Sequence, residues 1–144
     1  MIELNSQLKT LCDWLAYLEC LHPKSIEMGL ERVNLVKINL GLSPSFPIIT
    51  VSGTNGKGSI CSTMEAILSH AGYHVGCYSS PHIIRYNGRI RIGKQEIGDE
   101  ELCKAFSIVE AARANSDVSL TYFEFGTLAA MQLFIQAGVD VAIL

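Results

Sequence analysis

Apolar residues near the start of the chain follow a helical spacing. From Ser6 to Glu19 they fall three or four positions apart, at Leu8, Leu11, Cys12, Leu15 and Leu18. This spacing places them on one face and predicts an amphipathic helix. A second helix is predicted from Gly29 to Leu40, because Gly41 follows as a C-terminal stop signal.

Short apolar runs alternate with further helical stretches in the middle and at the end of the chain. The runs Ile48–Val51, Tyr73–Tyr78 and Val139–Leu144 predict strands, and the first and last are typical of strands buried in a parallel sheet. Between the first two, another helical stripe ends at Gly72. The order is strand, glycine-rich loop, helix, strand.

The remaining pattern predicts a hairpin and two more helices. Residues 89–94 alternate in character and indicate a hairpin arm that turns at Gly93-Lys94. Asp99 is a good N-cap for the next helix, and Thr127–Ala137 predicts another. Strands that alternate with helices indicate an α/β fold with a mainly parallel sheet and flanking helices.

The composition is that of one globular domain. The chain has 144 residues, of which 49% are hydrophobic and 17% charged, so we expect a folded core and not a disordered segment. A net charge of −3 gives no overall basic field, and no run approaches the ~20 apolar residues of a membrane helix. We therefore expect neither nucleic acid nor a membrane as a partner. Because the chain ends on a predicted core strand, we expect it to be a fragment.

The number and spacing of the cysteines predict the cellular compartment of the protein. There are five, and none forms a C-x-x-C pair, which predicts reduced thiols in a cytoplasmic protein. The N-terminus has no basic start followed by an apolar run, so we expect no secretory signal.

The stretch from Val51 to Ser59, VSGTNGKGS, resembles a phosphate-binding loop but departs from the general formula G-x-x-x-x-G-K-[ST]. Val51 stands at the first glycine, and Gly58 at the hydroxyl residue. The required chemistry is nevertheless present. Glycines let backbone N–H groups approach a phosphate, Lys57 supplies a mobile positive charge, and the start of the following helix favours an anion. Ser59 or Ser52 would supply a hydroxyl near magnesium or phosphate.

Two interpretations of this loop are open from the residues alone. It is either a nucleotide site or a glycine turn that joins a strand to a helix and leaves Lys57 exposed. A strand before the loop and an amphipathic helix after it are the context that the motif requires, so we favour nucleotide binding.

Four stretches together resemble one family. Gly53–Ser59, GTNGKGS, is similar to the phosphate loop of the Mur ligase superfamily, in the form found in its folate branch. Three further stretches resemble the bifunctional dihydrofolate synthase/folylpolyglutamate synthase family in the same order along the chain: Gly29–Val33, Tyr78–His82 and Leu120–Leu128. The departures from the general formula are then the family's own pattern.

The resemblance implies a domain organisation. Residues 1–144 would form the N-terminal part of the central, ATP-binding domain of a Mur ligase. Residues 1–42 would be an N-terminal helical segment and 43–144 the P-loop α/β region, with the C-terminal domain of the family absent. We expect this fragment to be inactive, or nearly so, by itself.

The resemblance also implies ATP-dependent amide formation. The carboxylate of dihydropteroate or a folate would attack the γ-phosphate of ATP and form an acyl phosphate, from which the amino group of L-glutamate displaces phosphate. The implied co-substrate is ATP and the implied metal is Mg²⁺. The loop and the metal would neutralise charge on the transferred phosphoryl group. We expect the protein to act as a monomer.

Functional residues follow from the matched motifs. The ATP-binding residues would be Gly53, Thr54, Asn55, Gly56, Lys57, Gly58 and Ser59. Lys57 would be catalytic through its charge, and Ser80 would ligate magnesium. The alternative for Ser80 is a turn cap before Pro81. Arg85 and Arg89 are candidate contacts for an anionic substrate, and His82 is either a pocket residue or a plain loop histidine.

The pteroate or folate pocket would include two segments. Its residues are Glu27, Met28, Thr121, Tyr122, Phe123 and Glu124. Aromatic rings beside a carboxylate suit a flat heterocycle that stacks and donates hydrogen bonds. The alternative is that Phe123 and Phe125 are core strand residues and that Glu124 is solvated.

The residues leave two other functions open beside the folate ligase. One is another Mur-type ligase that joins a different carboxylate and amine, and the stretch from Thr121 to Glu124 argues against it. The other is a non-catalytic module that binds nucleotide or folate.

Overall fold

A computed structural model describes residues 10–21, 28–82 and 84–144. We number its helices and strands in chain order as follows: α1 Leu11–Cys20, α2 Glu31–Leu40, β1 Ile48–Ile49, α3 Lys57–His70, β2 Val75–Tyr78, a 3₁₀ helix Tyr86–Arg89, β3 Ile90–Ile92, β4 Gln95–Glu96, α4 Asp99–Ser116, α5 Tyr122–Ala137 and β5 Val141–Ile143. They belong to two compact units. The helical unit comprises the described part of residues 10–42 with Asp99–Gln132, and the sheet unit comprises Ser43–Gly98 with Leu133–Leu144.

The helical unit is held by aromatic packing. Thr10 begins α1 with a capping box, in which its side chain accepts from the Asp13 N–H and the Asp13 carboxylate accepts from the Thr10 N–H. The first predicted helix is therefore present, although its predicted start at Ser6 lies outside the described residues. Trp14 of α1 lies 5.9 Å from the ring of Phe106 in α4. Phe125 of α5 meets Phe106 edge to face at 5.7 Å.

A polar network ties α1 to α4 beside this core. The Tyr17 hydroxyl donates to Glu110 at 2.8 Å, and Arg113 donates to both oxygens of the same carboxylate at 2.7 and 2.8 Å. Burial, and next the hydrogen bond to Glu110, raise the pKa of Tyr17 to about 12. Glu110 is buried but satisfied by two charged or polar partners, as buried carboxylates require.

The sheet unit confirms the α/β fold and shows a mixed sheet. Its described strands lie in the order β1-β5-β2-β3-β4. The pairs β1/β5 and β5/β2 are parallel, whereas β2/β3 and β3/β4 are antiparallel. The parallel part is built from the three predicted strands. The β3/β4 pair is the predicted hairpin, and Gly93 and Lys94 both have positive φ, 56° and 68°, as a type I′ turn requires. The antiparallel pairing of β2 with β3 was not predicted.

Three predicted helix starts are wrong in detail. Helix α2 begins at Glu31, two residues after the predicted Gly29. Helix α5 begins at Tyr122, five residues before the predicted Thr127, and Asp99 is the first residue of α4 instead of its N-cap. A capping box explains the early start of α5. The Thr121 hydroxyl accepts from the Glu124 N–H at 3.2 Å, and the Glu124 carboxylate accepts from the Thr121 N–H at 2.8 Å.

Helix α5 approaches the sheet closely within the sheet unit. A Cβ added to Gly76 of β2 would lie 2.6 Å from Cδ1 of Phe134, whose side chain is fully buried. Only glycine fits at this position without movement of the ring.

We therefore expect Gly76→Ala to lower the free energy of unfolding by about 1–3 kcal/mol, the usual cost of overpacking. Gly58→Ala is the matched control, because a Cβ there meets nothing within 4 Å. Urea unfolding followed by circular dichroism measures both. Equal stability of the two variants would show that the Phe134 contact has no energetic weight.

Helix α3 packs on the parallel strands through a small apolar cluster. Its buried members are Cys61, Val75, Cys77, Val141 and Ile143. Burial raises the pKa of the Cys77 thiol to about 12, although the nearby Arg91 guanidinium acts in the opposite direction. Since the folded pKa lies above the ordinary 9.0, the stability from this buried thiol is complete below pH 9 and is lost as the pH rises to about 12.

Cys77 is accordingly expected to resist alkylation at pH 8 to 9, because the thiolate is the reactive form and is disfavoured in the folded state. Cys12 and Cys20 are exposed and serve as internal controls that react at the normal rate. Peptide mass spectrometry after iodoacetamide treatment reads all three sites. Labelling of Cys77 as fast as Cys12 in the absence of denaturant would contradict this account.

Within the described residues, none of the helices has the length and apolar character needed to cross a membrane.

Candidate functional site

The phosphate-loop sequence connects β1 to α3 in the sheet unit. Its first residue is anchored, because the Val51 N–H donates to the carbonyl of Leu144 at 2.6 Å, next to β5. Gly56 is the N-cap of α3 and has a φ of 79°, a left-handed conformation that favours glycine. The helix therefore begins directly after this turn, at Lys57.

The start of α3 presents free backbone donors. The first helical hydrogen bond runs from the Ile60 N–H to the Gly56 carbonyl at 3.0 Å. The N–H groups of Lys57, Gly58 and Ser59 precede it and have no carbonyl one turn back within the helix. Together with the helix dipole, such donors form a site for an anion.

The Lys57 side chain bends back over this loop. Its Nζ donates to the carbonyl of Gly53, and the residue is half-buried, whereas Gly53, Thr54, Asn55, Gly56, Gly58 and Ser59 are exposed. The lysine is thus not merely a solvated surface charge. Positive charge and free N–H groups lie at the same end of α3, where a phosphate can reach them.

Ser80 lies at the same edge of the sheet as the loop. Because β1, β5 and β2 are parallel, their carboxyl ends share one edge, and Ser80 follows the end of β2 with its residue exposed. Two strand spacings separate β1 from β2, or about 10 Å. Ligands of open α/β sheets bind at this edge.

The described residues offer few candidate ligands for a magnesium ion. Among the described residues there is no group of three or more His, Cys, Asp or Glu side chains able to hold a metal. Mg²⁺ commonly takes one or two protein oxygens and completes its shell with water and phosphate. The exposed hydroxyl of Ser80 fits this role as a single oxygen ligand.

The segment around Ser80 is hydrogen-bonded to the last residue of the 3₁₀ helix, Arg89. The Ser79 N–H donates to the Arg89 carbonyl at 2.8 Å, and Arg89 Nε donates to His82 Nδ1 at 2.9 Å. The Arg89 guanidinium also lies 5.2 Å from the centre of the Tyr86 ring. His82 and Arg89 thus support the Ser80 segment, and Arg85 is exposed.

The predicted pteroate residues lie in the helical unit. Thr121 is buried and caps α5, and Phe123 in the first turn exposes 53% of its surface, an unusual amount for so large a ring. Met28 is 89% exposed just before α2. Glu27 lies outside the described residues. The strand alternative for Phe123 and Phe125 is wrong, because both residues are helical.

Glu124 has a partner that the sequence analysis missed. Arg32 of α2 donates from Nη2 to Glu124 Oε1 at 2.9 Å, with side-chain exposures of 20% and 13%. The alternative of a solvated Glu124 is therefore wrong. Arg32 stands inside the Gly29–Val33 motif, but nothing in its spacing reveals a partner 92 residues away.

Comparison with known proteins gives close relatives. No family model matches the chain. The Escherichia coli dihydrofolate synthase/folylpolyglutamate synthase is 54% identical over 135 residues, which are 93% of this chain and 32% of the relative. The Haemophilus influenzae protein of the same name is 49% identical over 144 residues. Human mitochondrial folylpolyglutamate synthase is 39% identical over 80% of this chain and 19% of its own length.

Solved structures of enzymes with the same name are also similar to this chain. Escherichia coli FolC in complex with DHPP and ADP has a TM-score of 0.90 and 53% identity, and covers 94% of this chain. A bifunctional folylpolyglutamate synthase/dihydrofolate synthase with Mn, AMPPNP and L-glutamate bound has a TM-score of 0.87 and 55% identity. The match covers 33% of the first structure and 32% of the second. The chain thus spans about a third of these relatives.

Proposed function

Because the chain belongs to the dihydrofolate synthase/folylpolyglutamate synthase family, of whose members it spans about a third, we propose that it supplies the ATP-binding part of a folate ligase. The complete reaction would join L-glutamate to dihydropteroate and to folates through an acyl phosphate. Residues 1–42 and 43–144 would form its N-terminal helical segment and P-loop region. The protein would act as a monomer in the cytoplasm.

One observation carries this proposal. The Lys57 ammonium donates to the Gly53 carbonyl in the loop that leads into α3, and the free N–H groups that begin this helix lie at the carboxyl edge of parallel strands. Residues Gly53 to Ser59 would surround the phosphates of ATP, and Lys57 would offset the charge that grows on the transferred phosphoryl group. Ser80 would hold Mg²⁺, which supplies charge neutralisation between phosphate oxygens.

The substrate would be recognised separately by the first turn of α5. Phe123 offers an exposed ring for stacking, and Glu124 offers carboxylate oxygens that accept hydrogen bonds. Thr121 and Tyr122 would complete this side with Glu27 and Met28. We propose that the ligand is a pteroate or folate, in keeping with the DHPP named in the Escherichia coli complex.

Calorimetric titration tests the nucleotide part. We expect the chain to bind magnesium-ATP at one site, and Lys57→Ala to weaken binding roughly tenfold to a hundredfold, as loss of a charged hydrogen bond implies. Lys104→Ala removes the same charge from an exposed position on α4 and should have no effect. Equal affinity of the Lys57 and Lys104 variants would refute the assignment.

Titration with dihydropteroate separates the candidate functions. Binding of both ligands supports the folate assignment, whereas binding of magnesium-ATP alone favours another Mur-type ligase. Since the chain spans a third of its relatives, we expect it to bind without turning over. Steady phosphate release coupled to amide formation would contradict the expected inactivity.

A further inference from the structure

The two predicted pieces of the substrate site lie far apart in sequence. Met28 precedes α2, and Thr121 to Glu124 begin α5. The ion pair from Arg32 to Glu124 links these two segments across 92 positions within the helical unit. Arg32 lies four residues after Met28, in the first turn of α2, so it fixes one segment to the other.

The Glu124 carboxylate is held from both sides. Oε2 accepts from the Thr121 N–H at 2.8 Å, and Oε1 accepts from Arg32 Nη2 at 2.9 Å. A carboxylate oxygen can accept two hydrogen bonds, so these contacts leave acceptor capacity on both oxygens. The plane of the carboxylate is therefore set before any ligand arrives.

We propose that Arg32 is a positioning residue for recognition of the pteridine ring, an inference that rests on the proposed function. It fixes the Glu124 carboxylate so that both oxygens meet the adjacent ring N–H and amino donors of a 2-amino-4-oxopteridine. The ring itself lies against the exposed Phe123. A pair of donors on a planar ligand matches a pair of oxygens whose orientation is already fixed.

Stability alone does not account for Arg32. The Thr121 N–H and the start of α5 already stabilise the Glu124 carboxylate through the capping box. A half-buried ion pair is weak support for stability, because desolvation offsets the attraction and a long side chain loses its freedom. A fixed orientation, in contrast, directly lowers the cost of binding a ligand.

The test measures two ligands on the 144-residue chain. Arg32→Gln should weaken dihydropteroate binding roughly tenfold, while magnesium-ATP binding to the sheet unit stays unchanged. Unchanged fluorescence of Trp14, which is buried in the same unit as Arg32, shows that the helical unit is intact. Arg32→Lys should recover part of the affinity, since it restores the charge without the planar fork. Lys37→Gln, on an exposed position of the same helix, is the charge-matched control and should behave as the unaltered chain.

A double-variant cycle distinguishes a role of Arg32 through Glu124 from an independent role of Arg32 in ligand binding. If Arg32 acts through Glu124, Arg32→Gln combined with Glu124→Gln should bind dihydropteroate no more weakly than Glu124→Gln alone. Undiminished dihydropteroate binding by Arg32→Gln, beside a loss in Glu124→Gln, would overturn this inference and leave the proposed function intact. An unaltered chain that binds magnesium-ATP but no dihydropteroate would overturn both the folate assignment and the role of Arg32. Should Arg32→Gln fail to fold, equal affinity of Arg32→Lys and the unaltered chain would overturn it.

Discussion

Replacing Phe106 with alanine is expected to lower the free energy of unfolding by about 3–5 kcal/mol, the usual cost of removing a buried phenyl ring. Phe106 is fully buried and contacts Trp14 at 5.9 Å and Phe125 at 5.7 Å. These rings come from α1, α4 and α5, so the cavity would open where three helices of the helical unit meet. Backbone rearrangement cannot easily close a space bounded by three rigid elements.

Urea unfolding of the Phe106 variant can be followed by the fluorescence of Trp14, the single tryptophan, and by circular dichroism. Ile38→Ala is the matched control, because Ile38 is 73% exposed on α2 and its truncation opens no cavity. We expect the control to stay within about 0.5 kcal/mol of the unaltered chain. A loss below about 1 kcal/mol for Phe106→Ala would contradict the described core.

Replacing Glu65 with leucine is expected to cost about 3–5 kcal/mol, because it leaves the Arg91 guanidinium without its carboxylate. Glu65 on α3 has a side-chain exposure of 6%, and Arg91 on β3 lies 2.8 Å away with 20%. A guanidinium stays protonated in proteins with or without an acidic partner, so the positive charge of Arg91 remains when the carboxylate is lost. The helix that begins with the phosphate loop would then lose a contact to the sheet.

The double variant Glu65→Leu with Arg91→Met should recover most of that loss, since it removes the stranded charge together with its partner. Glu100→Gln is the exposed comparison, because its pair with Lys104 lies at side-chain exposures of 83% and 69%. We expect no detectable change in melting temperature there. A double variant as unstable as Glu65→Leu alone would show that lost packing, and not an unpaired charge, causes the effect.

The sequence predicted the parallel part of the sheet because each of its strands lies in a short run of mainly apolar residues, which can be recognised locally. Ile48–Val51 and Val139–Leu144 are apolar runs that contain one polar residue each, Thr50 and Asp140. Strand β5 is buried throughout, as a strand covered on both faces is. The predicted burial of β1 is wrong, because Ile48 is 42% exposed at the edge of the described sheet. Their ends were less predictable, since β1 and β5 are shorter than the runs that contain them. The order β1-β5-β2-β3-β4 has no local signal, because it depends on which strands meet in space.

The start of α5 shows how one local signal can hide another. Tyr122 and Phe123 are residues that favour strands, and they masked the capping pattern that Thr121 and Glu124 form. The hydrogen bonds of the cap decide the structure in favour of a helix. The T-x-x-E spacing was therefore a readable signal that the aromatic residues concealed.

The two parts of the candidate site differ in how far the sequence reveals them. The phosphate loop is a continuous stretch whose flanking strand and helix follow from periodicity, so its placement at the start of α3 could be predicted. The partner of Glu124 could not be predicted, because Arg32 is 92 positions away and a pairing between two charged residues leaves no periodic pattern.

We propose that the backbone N–H groups between Gly53 and Ser59, with Lys57, bind the phosphates of ATP. The most direct measurement is the change in their amide resonances when magnesium-ATP is added to the isotope-labelled chain. We predict saturable shifts concentrated in residues 53–59, which shrink in Lys57→Ala and persist in Lys104→Ala. A folded sample in which these resonances stay in place at saturating magnesium-ATP would contradict the claim.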